Sequence, residues 1–405
     1  MGTFAEYTNY LYSQVPLFQN VGKDAYKAGL ENTYLLDEHF GHPHHSFKTI
    51  HIAGTNGKGS CSHTIASILQ EAGYKVGLYT SPHLTDFRER IRINGKKISK
   101  RYVMDFIDNE RCFFEPLHPS FFELTTALAF CYFKFKNIDV AVVEVGLGGK
   151  LDCTNIIHPD LCIITNISYD HTDLLGHTLS QIATEKAGII KESTPVVIGE
   201  STPTTKSVFE KYARIKNSPI YFAKDYTGDP HFRYQLTGLY QEKNKRTVLC
   251  AVNQLMSLGY HISESQVKKG LLHVIQNTGL QGRWQTIRKS PTVICDTGHN
   301  IGGFKYIIKQ LQQCHYSTLH IVFGMVNDKD LYGVLKMLPQ NASYYFCQAT
   351  TKRAIPSLEI LQKANALELK GFAFESVWDA YIQALQDANS ESLIPSIDLS
   401  LIFAL

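Results

Sequence analysis

The nine cysteines include no CxxC pair, so neither a zinc ribbon nor a disulfide framework is indicated. They read instead as small buried apolar residues in a reducing compartment. No run of 18 apolar residues occurs, which argues against a membrane-spanning helix. Met1 to Val15 lacks a basic segment followed by an apolar core, so no secretory signal is expected. Glu6 stands where a myristoylation signal needs Ser or Thr. Excess charge of one sign is missing too. Forty Lys and Arg against 37 Asp and Glu leave a net charge of +3, which supports neither a nucleic-acid nor a membrane partner. Internal repeats and low-complexity tracts are absent. A cytoplasmic protein is the expectation. What is present is a 44% apolar chain of 405 residues, enough for two to three domain-sized units with packed cores.

The chain is organised around Gly54-Thr55-Asn56-Gly57-Lys58-Gly59-Ser60. An apolar run, Ile50 to Ala53, precedes it. Ile65, Ile68, Leu69 and Ala72 follow at helical spacing, Gly73 stops the helix, and Val76 to Thr80 reads as a second strand. Strand, glycine turn, helix and strand form the setting of a phosphate loop. Glycines let backbone amides face phosphate oxygens, and the helix start adds its positive dipole end. Lys58 then reaches the outer phosphates and the Ser60 hydroxyl faces a magnesium ion. The first glycine stands four residues before the lysine rather than the Walker six, so the turn is shorter. The plain alternative is a glycine-rich strand-to-helix turn with an exposed lysine.

Other polar groups gather at predicted strand ends. The second strand runs into Thr80-Ser-Pro-His83, which places Ser81 and His83 at the carboxyl edge of a parallel sheet, beside the end of the first strand. The basic loop Phe87 to Gly95 follows, with Arg90 and Arg92 read as a solvated face. Asp139 to Val145 is a buried-strand run with Glu144 inside it. A carboxylate there is costly unless it pairs with a structural arginine or binds metal, and the phosphate loop in the same sheet favours metal. Leu161 to Ile167 leads to Asp170, His171 and Asp173. In the helix from Ser180, Lys186 falls on the stripe of Leu179, Ile182 and Ala183, where burial depresses an amine pKa. Upstream, Thr8 to Leu17 and Leu30 to Phe40 read as helical pieces. His39, His42, His44 and His45 read as a solvated loop, because their spacing fits no ligand pattern.

Residues 193–285 begin as strand and loop, with a turn at Tyr226 to Pro230 and a helical pattern from Leu239 to Leu258. Gly279 to Trp284 reads as a hinge. From Pro291 strand and helix alternate again, which predicts a second, smaller parallel sheet. The expected fold is α/β: an N-terminal P-loop-type parallel sheet domain over 1–284 and a smaller C-terminal Rossmann-like α/β domain over 285–405, with the site in the cleft of the two.

Taken together, His51 to Ser60, Tyr79-Thr-Ser-Pro-His-Leu84, Glu144-Val-Gly-Leu-Gly-Gly149, Leu151-Asp-Cys-Thr-Asn155, Asp170-His-Thr-Asp173 and Glu185-Lys-Ala-Gly188 resemble the folylpolyglutamate synthase/dihydrofolate synthase family of the Mur ligase superfamily. The resemblance covers nearly the whole chain. It implies ATP-dependent joining of a dihydropteroate or reduced-folate carboxylate to the amine of L-glutamate, by a monomer. It implies magnesium at two sites, with potassium as a candidate further ion. It puts ATP on the loop Gly54 to Ser60 and on Asn244, Arg283 and Asp296. It puts magnesium on Ser60, Ser81, Glu144 and His171, with Lys58, Lys186 and His171 as catalytic groups and Lys186 as a carbamate. It puts the pteroate or folate near Leu30, Ser120, Phe121, Phe122, Glu123 and Asp152. The sequence departs from the family pattern at Lys150 (usually Arg), at Asp296-Thr-Gly-His-Asn300 (usually Asp-Gly-Ala-His-Asn), at Tyr240 (often His) and in the tail Ser400 to Leu405. Rival readings are a kinase for a small hydroxyl substrate, a nucleotide switch protein and a cell-wall precursor ligase.

Overall fold

The computed structural model describes residues 2–14, 29–228, 231–351 and 353–397. The expected chain ends beyond Gln14 and from Ser400 to Leu405, and Pro230 of the expected turn, lie outside these residues. The chain divides into two compact units, Met1–Gln235 with Gln241–Leu280, and Leu236–Tyr240 with Gln281–Leu405. The return of Leu236–Tyr240 to the second unit is invisible in the sequence, and the division puts Arg283 in that unit.

The first unit carries eight strands: β1 Lys48–Ala53, β2 Val76–Tyr79, β3 Ile91–Ile93, β4 Lys96–Lys97, β5 Val140–Glu144, β6 Leu161–Ile164, β7 Val196–Ile198 and β8 Ile220–Phe222. Their order is β4-β3-β2-β5-β1-β6-β7-β8. The six strands from β2 to β8 in that order run parallel, and β3 and β4 add an antiparallel hairpin at the edge. β2 is therefore not beside β1, as the sequence suggested. β5 lies between them. Every residue of β5 is buried, and a strand apolar on both faces belongs at the centre of a covered sheet.

The helix Lys58–Glu71 covers one face of the sheet, packing Ile65, Ile68 and Leu69 with Val248 and Leu255 of the helix Gln241–Ser257. The helix Phe121–Phe135 covers the other face together with Lys100–Phe114. The stretch after residue 193, expected as strand and loop, contains the helix Pro203–Ile215. A reciprocal cap between Thr202 and Thr205 starts it. The histidine turn is solvated only in part: His39, His42 and His45 are exposed, but His44 is buried. His42 and His44 donate to the buried Asp37 carboxylate at 2.6 and 2.8 Å, which ties the turn to the preceding helix.

The second unit holds β9 Gln285–Lys289, β10 Thr292–Asp296, β11 His320–Phe323, β12 Ser343–Cys347, β13 Gly371–Phe374 and β14 Leu393–Ile397, in the order β13-β12-β11-β14-β10-β9. All pairs are parallel except β9 with β10. It is the smaller, Rossmann-like sheet, with its own core around Phe304, Ile321, Phe323 and Phe346.

Candidate nucleotide and metal site

β1 ends at Ala53 and the glycine loop turns at once. Gly54 has φ +147°, and a Cβ there would lie 1.9 Å from Thr165 Oγ1, so only glycine fits. The segment after β6 clips the loop in place. Thr55 N donates to Asn166 O at 3.0 Å, Asn56 N to Asn166 Oδ1 at 2.8 Å, and Thr165 Oγ1 to Asn56 O at 2.6 Å. The Asn56 amide is thereby committed to protein, whereas the amides of the first helical turn from Lys58 have no partner within the helix.

Gly57, at φ +86°, caps that helix, and a Cβ on it would come 2.4 Å from Asn244 Oδ1. Asn244 thus stands against the loop. Its Nδ2 donates to Gln241 Oε1 at 2.8 Å, and Gln241 Nε2 donates to the fully buried Ser60 Oγ at 3.1 Å. Gln241 was missed by sequence reading, because no local pattern links it to a serine 181 positions away. Lys58 Nζ donates to Gly54 O at 3.1 Å and Thr55 O at 3.3 Å, holding the ammonium over its own loop.

The register brings the other strand ends to the same edge. Ile52 of β1 is level with Glu144 of β5, Tyr79 of β2 with Val143, and Ala53 of β1 with Ile164 of β6. Ser81 follows β2, Glu144 closes β5 and His171 lies beyond β6, all at the carboxyl edge that carries the glycine loop. Glu144 is buried. His171 has φ 48° and caps the helix Thr172–Leu175, a backbone state that fixes where its ring leaves the chain. Lys186, in the helix Leu179–Ala187, is also buried. Burial pushes its amine down to about 7, and the Lys58 charge pushes the same way, against Asp170, Asp152 and Glu185. Lys186 is therefore within electrostatic reach of the phosphate loop.

Ser120 and Glu123 are occupied as a helix cap: Ser120 N donates to Glu123 Oε2 at 2.5 Å and Glu123 N to Ser120 Oγ at 3.2 Å. Their contribution is to fix the turn that presents Phe121 and Phe122. Phe122 stacks on Tyr79 with centroids 5.7 Å apart, and a Cβ on Gly146 would come 2.5 Å from its Cζ, so Phe122 lies against the loop after Glu144. Leu30 caps the helix Glu31–His39. Asp152 is buried. Its Oδ2 accepts from Leu147 N at 2.8 Å, and its Oδ1 accepts from Thr154 N at 3.0 Å and from Thr154 Oγ1. Burial raises its carboxyl pKa against those hydrogen bonds.

Arg90 and Arg92 do not form a solvated face. Both are buried. Arg90 Nε donates to His83 Nδ1 at 2.7 Å, and its guanidinium lies 5.0 Å over the Phe121 ring. Burial, helped by the Arg90 charge, pushes His83 down to about 2, so the ring is neutral. His83 Nε2 meets the Tyr12 hydroxyl at 3.2 Å. The alternating pattern of residues 88–93 gave no sign of this, because the cover comes from the distant Tyr12 and Phe121.

In the second unit, Asp296 ends β10 and is buried. It accepts from Tyr240 Oη at 2.7 Å, Trp284 N at 2.8 Å and Gly298 N at 2.9 Å. Arg283 Nη1 donates to Gly282 O at 3.2 Å and to Thr297 Oγ1.

Comparison with known proteins gives the family. Residues 52–263 match the Mur ligase middle domain and 282–395 the Mur ligase glutamate ligase domain. An Escherichia coli K12 relative named dihydrofolate synthase/folylpolyglutamate synthase is 32% identical over 95% of this chain and 92% of its own. The chain belongs to the dihydrofolate synthase/folylpolyglutamate synthase family. It spans 42% of a longer Haloferax volcanii relative, a probable bifunctional folylpolyglutamate synthase/dihydropteroate synthase, which is 32% identical over 81% of this chain. A structure of E. coli FolC in complex with DHPP and ADP aligns with TM-score 0.85 at 29% identity, covering 99% of this chain and 96% of that one. A bifunctional folylpolyglutamate synthase/dihydrofolate synthase with Mn, AMPPNP and L-glutamate bound aligns with TM-score 0.84 at 27% identity, covering 100% and 97%.

Two of this family member's departures have structural partners. Tyr240 reaches Asp296, and Thr297 holds Arg283. The donors expected to hold metal fit a hard divalent ion: two hydroxyls, one carboxylate and one imidazole, with the hydroxyl of Ser60 wholly buried and the carboxylate of Glu144 nearly so. Among the described residues no group of three or more His, Cys, Asp or Glu comes together that would hold a metal by itself.

Proposed function

We propose that the protein is an ATP-dependent ligase of folate biosynthesis, joining L-glutamate to dihydropteroate and to (poly)glutamyl folates through an acyl phosphate. The observation that carries this is the edge at which the β1 glycine loop, Ser81, Glu144 and His171 all emerge, in a chain whose two halves match Mur ligase domains. We assign ATP binding to the N-terminal domain, 1–284 by sequence, and glutamate ligation to the C-terminal domain, 285–405.

A carboxylate is a poor acyl donor, so its oxygen first takes the γ-phosphoryl group and ADP leaves. The glutamate amine then attacks the acyl carbon, and phosphate departs. The transfer demands charge neutralisation and in-line positioning rather than covalent help. The loop amides and Lys58 bind the phosphates, with Asn244, Arg283 and Asp296 as further nucleotide contacts. Two magnesium ions would supply Lewis-acid charge, one at Ser60 and one at Ser81, Glu144 and His171, and a potassium ion is a candidate addition. Lys186 acts as a carbamate that orients His171. Leu30, Phe121, Phe122 and Asp152 face the pteroate, with Ser120 and Glu123 fixing that turn. The enzyme works as a cytoplasmic monomer. No described helix is long and apolar enough to cross a membrane.

Two predictions follow from these assignments. Phosphate release from ATP should require dihydropteroate and L-glutamate together and should yield dihydrofolate. Efficient extension of reduced folates without dihydrofolate synthesis would leave only the polyglutamate activity, and phosphate release with neither acceptor would discard the ligase reading. Glu144→Gln and His171→Ala should each raise the magnesium concentration for half-maximal activity by about tenfold or more. Metal titrations that overlay the parent curve would separate the two residues from the ion.

A further inference from the structure

His51 sits in β1, two residues before the end of the strand, and is wholly buried among apolar neighbours. Its ring does nothing obvious for stability. Nδ1 makes no hydrogen bond, and a buried polar atom left so is a cost that Val or Ile would not carry. Burial, helped by the Lys191 charge, pushes the ring pKa down to about 3, so the imidazole is neutral and holds one proton. The remaining contact is Nε2 with Thr154 Oγ1 at 2.8 Å.

The direction of that hydrogen bond is fixed by what Thr154 does next. Its hydroxyl donates to Asp152 Oδ1. A hydroxyl has one proton, so toward His51 it accepts, and the His51 proton is on Nε2. The wiring runs from His51 Nε2–H to Thr154 Oγ1–H to Asp152 Oδ1. Thr154 N closes on the same oxygen at 3.0 Å, while Oδ2 takes Leu147 N from the loop that follows Glu144 at 2.8 Å. Two donors from Thr154 therefore hold Oδ1 and the Leu147 amide holds Oδ2, so the orientation of the whole carboxylate is set. Without His51, the Thr154 hydroxyl is free to rotate and to offer Asp152 a lone pair instead of a proton.

We infer that His51 and Thr154 are positioning residues that lock the Asp152 carboxylate for recognition of an N–H-bearing pteroate-class ring, and that they set affinity for that substrate rather than for ATP. The inference rests on the proposal that Asp152 binds the pteroate. It makes the strand that carries the phosphate loop also the strand that orients the pteroate ligand, through one buried imidazole.

The test is steady-state kinetics on the full chain, varying dihydropteroate, ATP and L-glutamate in turn, for Asp152→Asn, Thr154→Val, Thr154→Ser, His51→Leu and His51→Gln. Thr154→Val and His51→Leu should raise KM for dihydropteroate tenfold or more with KM for ATP within twofold. Thr154→Ser, which keeps the hydroxyl, and His51→Gln, which keeps a donor, should recover most of the loss. A purely structural role would move all three KM values and kcat together, or none, and would gain nothing from the conservative variants. Either pattern in folded protein overturns the inference. If Thr154→Val does not fold, the His51 pair decides by the same criteria. Asp152→Asn separates the two levels. An unchanged dihydropteroate KM there removes Asp152 from the pteroate site and the inference with it. A large effect there, with none in Thr154→Val and His51→Leu, refutes the relay alone.

Discussion

Lys58→Ala is expected to abolish ATP-dependent ligation, with a loss on the order of 10²–10³-fold or more in turnover, while the thermal transition stays within a few degrees of the parent. The asymmetry follows from the surroundings of the side chain. Among the described residues Lys58 Nζ donates to the carbonyls of Gly54 and Thr55, in the loop it belongs to. Thr55 to Lys58 are half-buried at the turn, so water replaces the lost donor there and the fold loses little. The γ-phosphoryl group in transit has no such substitute. Charge builds on its oxygens, and a fixed ammonium in a shielded site stabilises that charge far more than water does. Phosphate release measured beside a melting curve checks both halves. Near-normal turnover in a folded variant would end the phosphate-loop assignment.

Lys186→Met should act in opposite directions on activity and on stability. The buried amine has its pKa lowered from 10.5 to about 7. Between those values the unfolded chain binds a proton that the native chain does not, so stability rises with pH across the window from about 7 to 10.5 and is penalised below it. Replacing the amine with an apolar side chain of similar length removes the penalty, and the variant should melt at a higher temperature near pH 7 and lose that slope. Activity should fall by about 10²-fold or more, because the carbamate proposed for Lys186 cannot form. Under that proposal the uncharged amine adds carbon dioxide, so the parent enzyme should gain activity as pH rises through about 7 and respond to bicarbonate. Lys186→Ala, with room for a small guest, should regain part of its rate with acetate or another short-chain carboxylate. Parent activity indifferent to carbon dioxide, together with an active Lys186→Met, would show that the lysine works as a plain amine or not at all.

Much of the first unit was legible because the information is local. Glycine spacing, the lysine, the serine and the flanking apolar runs all lie within thirty residues. A turn that needs positive φ at Gly54 and Gly57 announces itself by composition. Glu144 was legible for another local reason, a carboxylate inside an otherwise apolar strand. Lys186 showed itself by helical register. The alternation after Pro291 was enough to predict a second parallel sheet.

What stayed hidden depends on partners far along the chain. Arg90 and Arg92 looked solvated because a sequence shows charge but not the Phe121 ring or the His83 nitrogen that cover Arg90. The burial of His44 stayed hidden because Asp37, its partner, lies in the preceding helix. The place of β5 between β1 and β2 comes from the handed crossover of the chain, which sequence order does not record. Gln241 with Ser60, Asn166 with the loop amides and His51 with Thr154 are pairs formed only when distant segments of the chain come together. Local pattern thus determined which residues are candidates for chemistry: dihedral preference, helical period and the cost of burying charge all act within a few positions. The tertiary structure alone decided which of those residues meet and which are buried, because hydrogen bonds and desolvation are set by neighbours in space, and among the described residues hydrogen-bonded partners lie as far as 215 positions apart.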